Sequence, residues 1–300
     1  MKTYLVNYFE LSSDEKLAYY HSEPGKPIVF LIHGNFSSTV HWFRTMEVLE
    51  DDYSVYAVDL RGFGLSSYRH SFDSLAELAL DLVEFILKQD LQDISLIGWS
   101  LGGGVAMELA AACPERIKNL TLYSSIGSQG IPMYEVDTTT LQPLLDKPLH
   151  TKDDLLNHPV YVAPIDKLIH FGNYEQISGV LQNLYCKHQP LKEEMDLFVE
   201  ALQQQRNLVD AKFALLSYNI TDQHNGVFAG SSHIKNIKCP VLMLHGDRDS
   251  VIPIEESRKT KKIFQEQAKF IEFEGCGHGV HIDEPEKWLY EVREFIKKHQ

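Results

Sequence analysis

Nowhere in the 300-residue chain do apolar residues run for the roughly 20 positions that a bilayer span needs. The opening stretch Met1–Asn7 also lacks the apolar centre of a signal peptide, so neither integral membrane association nor export through a leader is expected. Basic residues are in short supply: 28 Lys and Arg stand against 42 Asp and Glu, a net charge of −14. A nucleic-acid partner is therefore not expected, because phosphate binding requires a basic face that displaces counterions. Cysteine is sparse too. Cys113, Cys186, Cys239 and Cys276 are scattered without a CxxC pair, which argues against a disulfide framework and for free thiols in a reducing compartment, the cytoplasm. No G-x-G-x-x-G follows a strand and opens a helix, since Gly62-Phe63-Gly64 lacks the third glycine. Asp222, His224, Asn225 and His233 lack zinc-site spacing and read as loop hydrogen-bonding groups or substrate contacts; no metal and no cofactor are expected.

What the chain does have is alternation. Apolar content is 44%, ordinary for a folded domain. Short apolar runs at Ile28–Ile32, Val55–Val58, Ile94–Ile97, Leu120–Tyr123, Val241–Leu244 and Phe270–Phe273 predict strands. Amphipathic stretches separate them, from Ser74, over Leu101–Ala112, over Glu255–Gln267, and from Pro285 to the end. That pattern predicts an α/β fold with a mostly parallel sheet and helices on both faces, led by an antiparallel pair at Thr3–Leu11 and Lys16–His21. From 127 to 238 the alternation lapses into helical stripes such as Ile177/Val180/Leu181/Leu184 and Leu197/Phe198/Ala201/Leu202, with strand-like runs scarce. The expected organisation is a core of 1–126 and 239–300 with a helical lid of 127–238 inserted between two strands. Gln203-Gln204-Gln205 reads as a solvated helix face.

The strongest local signal is Gly98-Trp99-Ser100-Leu101-Gly102-Gly103-Gly104, a G-x-S-x-G box between a buried strand and a helix. A sharp strand-to-helix turn there strains the serine backbone, so small neighbours are needed, and the helix N-terminus points positive charge at the reacting centre. A serine hydroxyl needs a base to become a nucleophile. His278, glycine-flanked in Gly275-Cys276-Gly277-His278-Gly279 after the last strand, is the favoured candidate; its rival His281 is expected to pack at the loop base. The base needs a carboxylate, and Asp247 and Asp249 both follow the Val241–Leu244 run. Asp249 lies deeper in the turn and is preferred, leaving Asp247 as a surface or turn-capping residue.

The chain order Ser100, Asp249, His278, each after a strand, resembles the α/β-hydrolase superfamily over most of the sequence. The resemblance implies an eight-stranded sheet and a Ser-His-Asp triad. In some members the acid follows the strand after the nucleophile; Ser124-Ser125-Ile126-Gly127-Ser128 offers no carboxylate there. His33-Gly34-Asn35-Phe36 resembles the family's oxyanion loop, which makes the Asn35 and Leu101 N–H groups the implied donors, with Phe36 and Trp99 as candidate substrate contacts. His33 and His245 are expected to bond loop backbone, and Asp59–Ser66, with Arg61 pairing a carboxylate, to act as scaffold. Haloalkane dehalogenases and epoxide hydrolases share the fold but use an aspartate nucleophile, so Ser100 argues against both. Ester hydrolysis is the broad expectation, on a small-molecule or polyester substrate. Trp99 and the Gly102–Gly104 run also resemble the intracellular short-chain polyhydroxyalkanoate depolymerases, which act on poly(3-hydroxybutyrate). Carbon–carbon hydrolases, iminopeptidases, perhydrolases and non-catalytic ligand receptors use the same frame. Acyl-chain length and oligomeric state have no signature in the sequence.

Overall fold

The computed structural model describes residues 2–299. In chain order the strands are β1 (Asn7–Glu10), β2 (Lys16–His21), β3 (Ile28–Ile32), β4 (Ser54–Val58), β5 (Ile94–Trp99), β6 (Ile117–Tyr123), β7 (Tyr134–Val136), β8 (Pro143–Pro148), β9 (Val241–Gly246) and β10 (Ala268–Phe273). The helices are α1 (Phe43–Leu49), α2 (Leu75–Lys88), α3 (Leu101–Ala112), α4 (Lys152–Leu155), α5 (Ala163–Phe171), α6 (Tyr174–Gln182), α7 (Lys192–Gln203), α8 (Leu208–Ser217), α9 (Ile254–Phe264), α10 (Val280–Asp283) and α11 (Pro285–Lys298). Among the described residues no helix is long and apolar enough to cross a membrane.

Eight strands form one sheet in the order β1-β2-β4-β3-β5-β6-β9-β10, antiparallel at β1–β2 and β2–β4 and parallel elsewhere. The expected leading pair is present, with its first strand trimmed to Asn7–Glu10. Central strands must bury both faces, and β5 is buried at every position. Alternation along β3 divides the core. Phe30 and Ile32 face a cluster built on α2 and α3, while Val29 and Leu31 face one that includes Trp42, Met46, Trp288 and Val292. Helix α2 begins where Ser74 accepts a hydrogen bond from the Glu77 N–H, and α11 begins at Pro285, whose missing N–H costs nothing in a first turn.

Between β6 and its sheet neighbour β9 lies a long insertion containing α4–α8 and a hairpin in which Tyr134 pairs with Pro148 and Val136 with Pro143. The hairpin has no alternating pattern to announce it. Strand β8 reads Pro143-Leu144-Leu145-Asp146-Lys147-Pro148, and prolines at its two ends are tolerated because an edge strand leaves N–H positions unpaired.

The turn after β4 is braced internally. Asp59 accepts from the Thr39 N–H at 2.7 Å and the Leu65 N–H at 2.9 Å, and Arg61 forms a buried two-point pair with Asp81 at 2.9 and 2.7 Å. Helix α3 comes very close to β5 where the two cross. A Cβ on Gly98 would stand 2.7 Å from the Ala106 Cβ and nearer still to the Gly102 carbonyl oxygen. Gly98→Ala is expected to lower stability by about 1–3 kcal/mol through overpacking. Urea unfolding measures this, and an unchanged midpoint would mean that the contact relaxes freely.

Candidate active site

Strand β5 ends at Trp99 and α3 starts at Leu101, so Ser100 alone must reverse the chain. It does so at φ +56° and ψ −122°, a backbone region that costs a non-glycine residue on the order of 1–3 kcal/mol. Surrounding glycines make the turn possible. A Cβ on Gly34 would lie 2.9 Å from the Ser100 Cβ, and one on Gly102 would run into the carbonyl oxygens of Ile32 and His33. The turn is pinned by the Ser100 N–H donating to Tyr123 O at 3.1 Å, and Ser100 O accepts from the Gly103 and Ile126 N–H groups at 3.0 and 3.2 Å.

His278 follows β10 and is buried. Its Nδ1 meets Asp249 Oδ2 at 2.7 Å, so Nδ1–H donates to the carboxylate and Nε2 is left as the basic nitrogen. Asp249 lies in the loop after β9 with a fully buried side chain. Its Oδ1 accepts from the Val251 and Ile252 N–H groups at 2.8 and 2.9 Å. Burial by itself would raise this carboxyl, but the His278 charge and hydrogen bonds from His245 and His278 outweigh it and hold the group well below the usual carboxylate range. Asp249 is therefore ionised at neutral pH.

Two residues support this pair in ways the sequence alone does not assign to them. His245 Nε2 lies 3.0 Å from Asp249 Oδ2 and 2.9 Å from the Ile252 carbonyl oxygen. A carbonyl only accepts, so Nε2 carries a proton, and Nδ1 lies 2.7 Å from the Ser257 hydroxyl, which fixes the ring's orientation. His245 thus bonds loop backbone, as the sequence suggests, and also steadies the acid. The second support is Asp283 in α10. It accepts from the backbone N–H groups of Gly277 at 2.7 Å, Cys186 at 2.9 Å, Lys187 at 2.7 Å and His188 at 3.1 Å, tying the His278 loop to the insertion. A carboxylate at that distance along the chain becomes informative only once the fold is known.

The remaining candidates are placed as follows. Trp99 is buried; its indole N–H donates to the His278 carbonyl at 3.2 Å and its ring borders the cavity. His281 sits among Trp42, Trp99, Tyr123 and Trp288, with Nδ1 2.5 Å from the Tyr123 hydroxyl, and burial pushes its pKa down to about 3. Asp247 is exposed and accepts from the Gly275 N–H at 2.6 Å. His33 is spent on backbone, with Nδ1 2.8 Å from Gly34 O and Nε2 accepting from the Leu60 N–H at 3.0 Å. Among the described residues the Asn35 and Leu101 N–H groups have no acceptor within the protein. No hydrogen bond joins Ser100 Oγ to His278, yet both border one cavity of about 220 Å³ together with Asn35, Phe36 and Trp99.

Gln205 departs from the solvated face expected of it. Only 2% exposed, it accepts from the Phe36 N–H at 3.1 Å and donates to Asn35 Oδ1 at 2.8 Å and Asn207 Oδ1 at 3.0 Å. The next residues continue the seam. The Arg206 N–H donates to Gly62 O at 2.9 Å, and Asn207 Nδ2 donates to Arg61 O at 2.7 Å. Helix α7 ends at Gln203, so the glutamine run leaves the helix before its last member and turns it inward.

Residues 27–285 match the profile of a family described as alpha/beta hydrolase fold. A pimeloyl-(acyl-carrier protein) methyl ester esterase of Vibrio parahaemolyticus is 25% identical over 278 residues, which cover 90% of this chain and 94% of that protein. An esterase from Exiguobacterium antarcticum superposes with a TM-score of 0.73 at 20% identity, over 98% of this chain and 100% of that one. The enol-lactonase of Burkholderia xenovorans LB400 gives 0.72 at 15% identity, over 97% and 100%.

The two aspartates are separable by experiment. Asp249→Asn should favour the wrong His278 tautomer and lower kcat for a chromogenic ester by about 10⁴-fold. Asp247→Asn should stay within about tenfold of the parent, since it alters one exposed loop contact. The opposite ranking would move the acid to Asp247.

Proposed function

The chain belongs to the α/β-hydrolase fold family, and from that membership we propose that it hydrolyses carboxylic esters through an acyl-enzyme on Ser100. The observation that carries this reading is the cavity shared by Ser100 and an Asp249-bound His278, with uncommitted backbone N–H groups at Asn35 and Leu101. Ester hydrolysis is also what the names of the Vibrio and Exiguobacterium proteins describe.

His278 Nε2 takes the Ser100 proton as Oγ attacks the ester carbonyl carbon. The carbonyl oxygen becomes an oxyanion and accepts from the Asn35 and Leu101 N–H groups, the latter at the positive end of α3. The imidazolium formed on His278 lies against a buried, ionised Asp249, which stabilises it without taking its proton. Collapse of the intermediate breaks the bond to the alcohol oxygen, which receives the proton from Nε2. Water then attacks the acyl-enzyme, giving its proton to Nε2 and its oxygen to the released acid, and Ser100 is protonated again.

The 127–238 insertion acts as a cap that selects the substrate, supplying Ile131, Met133, Leu181, Leu202 and Leu215 to the cavity wall. At about 220 Å³ the space lies below the range usual for drug-sized ligands and suits a short acyl chain. A polyester chain, by contrast, needs an open groove. The small ester is therefore preferred over poly(3-hydroxybutyrate), which the Trp99–Gly104 box alone favours.

Ser100→Ala is expected to fold normally and lose p-nitrophenyl butyrate cleavage by about 10⁴-fold or more. A fluorophosphonate probe should label the parent at Ser100 and leave the variant unlabelled. Unlabelled, folded parent protein with no ester turnover would reject the hydrolase in favour of a ligand-binding role. Release of 3-hydroxybutyrate from native granules at a rate matching small-ester cleavage would restore the polyester substrate.

A further inference from the structure

Helix α8 turns Leu208, Ala211 and Leu215 into the core, and Lys212 lies on its cavity side with Leu215. Lys212 is mostly withdrawn from solvent, and its ammonium stands 5.2 Å from the centre of the Phe36 ring, itself part of the cavity wall. Among the described residues it has neither a hydrogen-bond acceptor nor a carboxylate partner. No acid among the described residues borders the cavity, and Lys212 is the one lining residue that carries a standing charge. The other titratable groups there are His41, held neutral by burial, Tyr161 and the candidate base His278.

The nearest acid along the helix is already committed. Asp210 binds the Lys152 ammonium at 2.8 Å, the Tyr68 hydroxyl at 2.6 Å and the Phe72 N–H at 3.0 Å. The contrast with Lys152 is informative: that lysine has Asp73 at 2.6 Å as well as Asp210. Burial lowers the Lys212 pKa to about 8 with no carboxylate to offset it, so the side chain is still mainly an ammonium at pH 7. A desolvated, unpaired cation is costly to keep, and a face-on aromatic ring recovers only part of that cost. A ligand carboxylate would recover far more, at short range in an apolar enclosure.

We propose that Lys212 determines substrate choice by binding a carboxylate, so that the preferred substrate is a short ester carrying a free carboxylate group at its far end. The inference rests on the hydrolase reading above. The carboxylate pairs with the Lys212 ammonium while the ester carbonyl lies at Ser100, so charge recognition and chemistry share one small cavity. The preference works against the overall charge of −14, which repels anions at long range, and so must be local.

The test compares the monomethyl esters of succinic, glutaric and adipic acids with the methyl esters of butyric, valeric and hexanoic acids, by titration of released acid. For the parent, kcat/KM should be higher for the carboxylate-bearing ester of at least one length, by about tenfold or more. In Lys212→Met that ratio should fall by about tenfold or more, chiefly through KM, whereas Lys212→Arg should retain it and Lys212→Glu should reverse it. Thermal melting checks that each variant is folded. A parent that prefers the neutral ester at every length, or a ratio that Lys212→Met leaves unchanged, would overturn the carboxylate assignment while leaving ester hydrolysis intact. Loss of both ester classes in a folded parent that is not labelled by fluorophosphonate would overturn the hydrolase reading and this inference with it.

Discussion

At the end of β5 the chain reverses within one residue, and the turn closes only because the first turn of α3 can press against the carbonyl ends of β3. Gly102 meets the oxygens of Ile32 and His33, and Gly34 meets the Ser100 side chain. No side chain larger than hydrogen fits either contact without displacement. Because β3 and β5 are paired in register, Ile32 against Gly98, the same approach sets where the Asn35 loop leaves the sheet. The serine, the helix N-terminus and the neighbouring loop N–H groups are thus placed by a single close packing of backbone on backbone.

The other half of the site is built from longer reaches. β9 and β10 end side by side, Gly246 against Phe273, so the loops that follow them meet without further device. What keeps them aligned is a set of polar contacts around two buried carboxylates. Asp249 is held by two backbone N–H groups and by His245, and Asp283 gathers the Gly277 N–H and the 186–188 segment. Each of these carboxylates is buried and would be costly to leave unpaired, so the contacts that satisfy it leave the loops little freedom to shift. Trp99 adds a link from the strand that leads into Ser100 to the His278 backbone.

The parts legible in the sequence are those written in local pattern. Apolar runs gave the six core strands to within a few residues, Ser74 and Pro285 marked helix starts, and the glycine spacing around Ser100 predicted the strained turn now seen at φ +56°. Juxtapositions were not legible. Gln205 lies 170 positions from Asn35 and Cys186 lies 97 from Asp283, and nothing in either residue's own neighbourhood signals the contact. A glutamine run at the end of an amphipathic helix has the composition of a solvated face. Only its last member, Gln205, becomes a buried connector, because α7 stops at Gln203. The β7–β8 hairpin escaped notice for the opposite reason, since β7 is only three residues long and the side chains of β8 do not alternate.

The seam at Gln205, Arg206 and Asn207 has a consequence for how this protein can change. The same three residues, which join α7 to α8 inside the insertion, also hold the Asn35–Phe36 loop and the Arg61–Gly62 turn. The insertion is therefore not a cassette that can be exchanged while the core is left alone. A graft from another protein would bring its own residues to this seam and would need matched changes in the two core loops. Changes in the insertion and changes in these two core loops are for that reason coupled. Substitutions acceptable in one background will be damaging in another, and successful ones will tend to be inherited as a group.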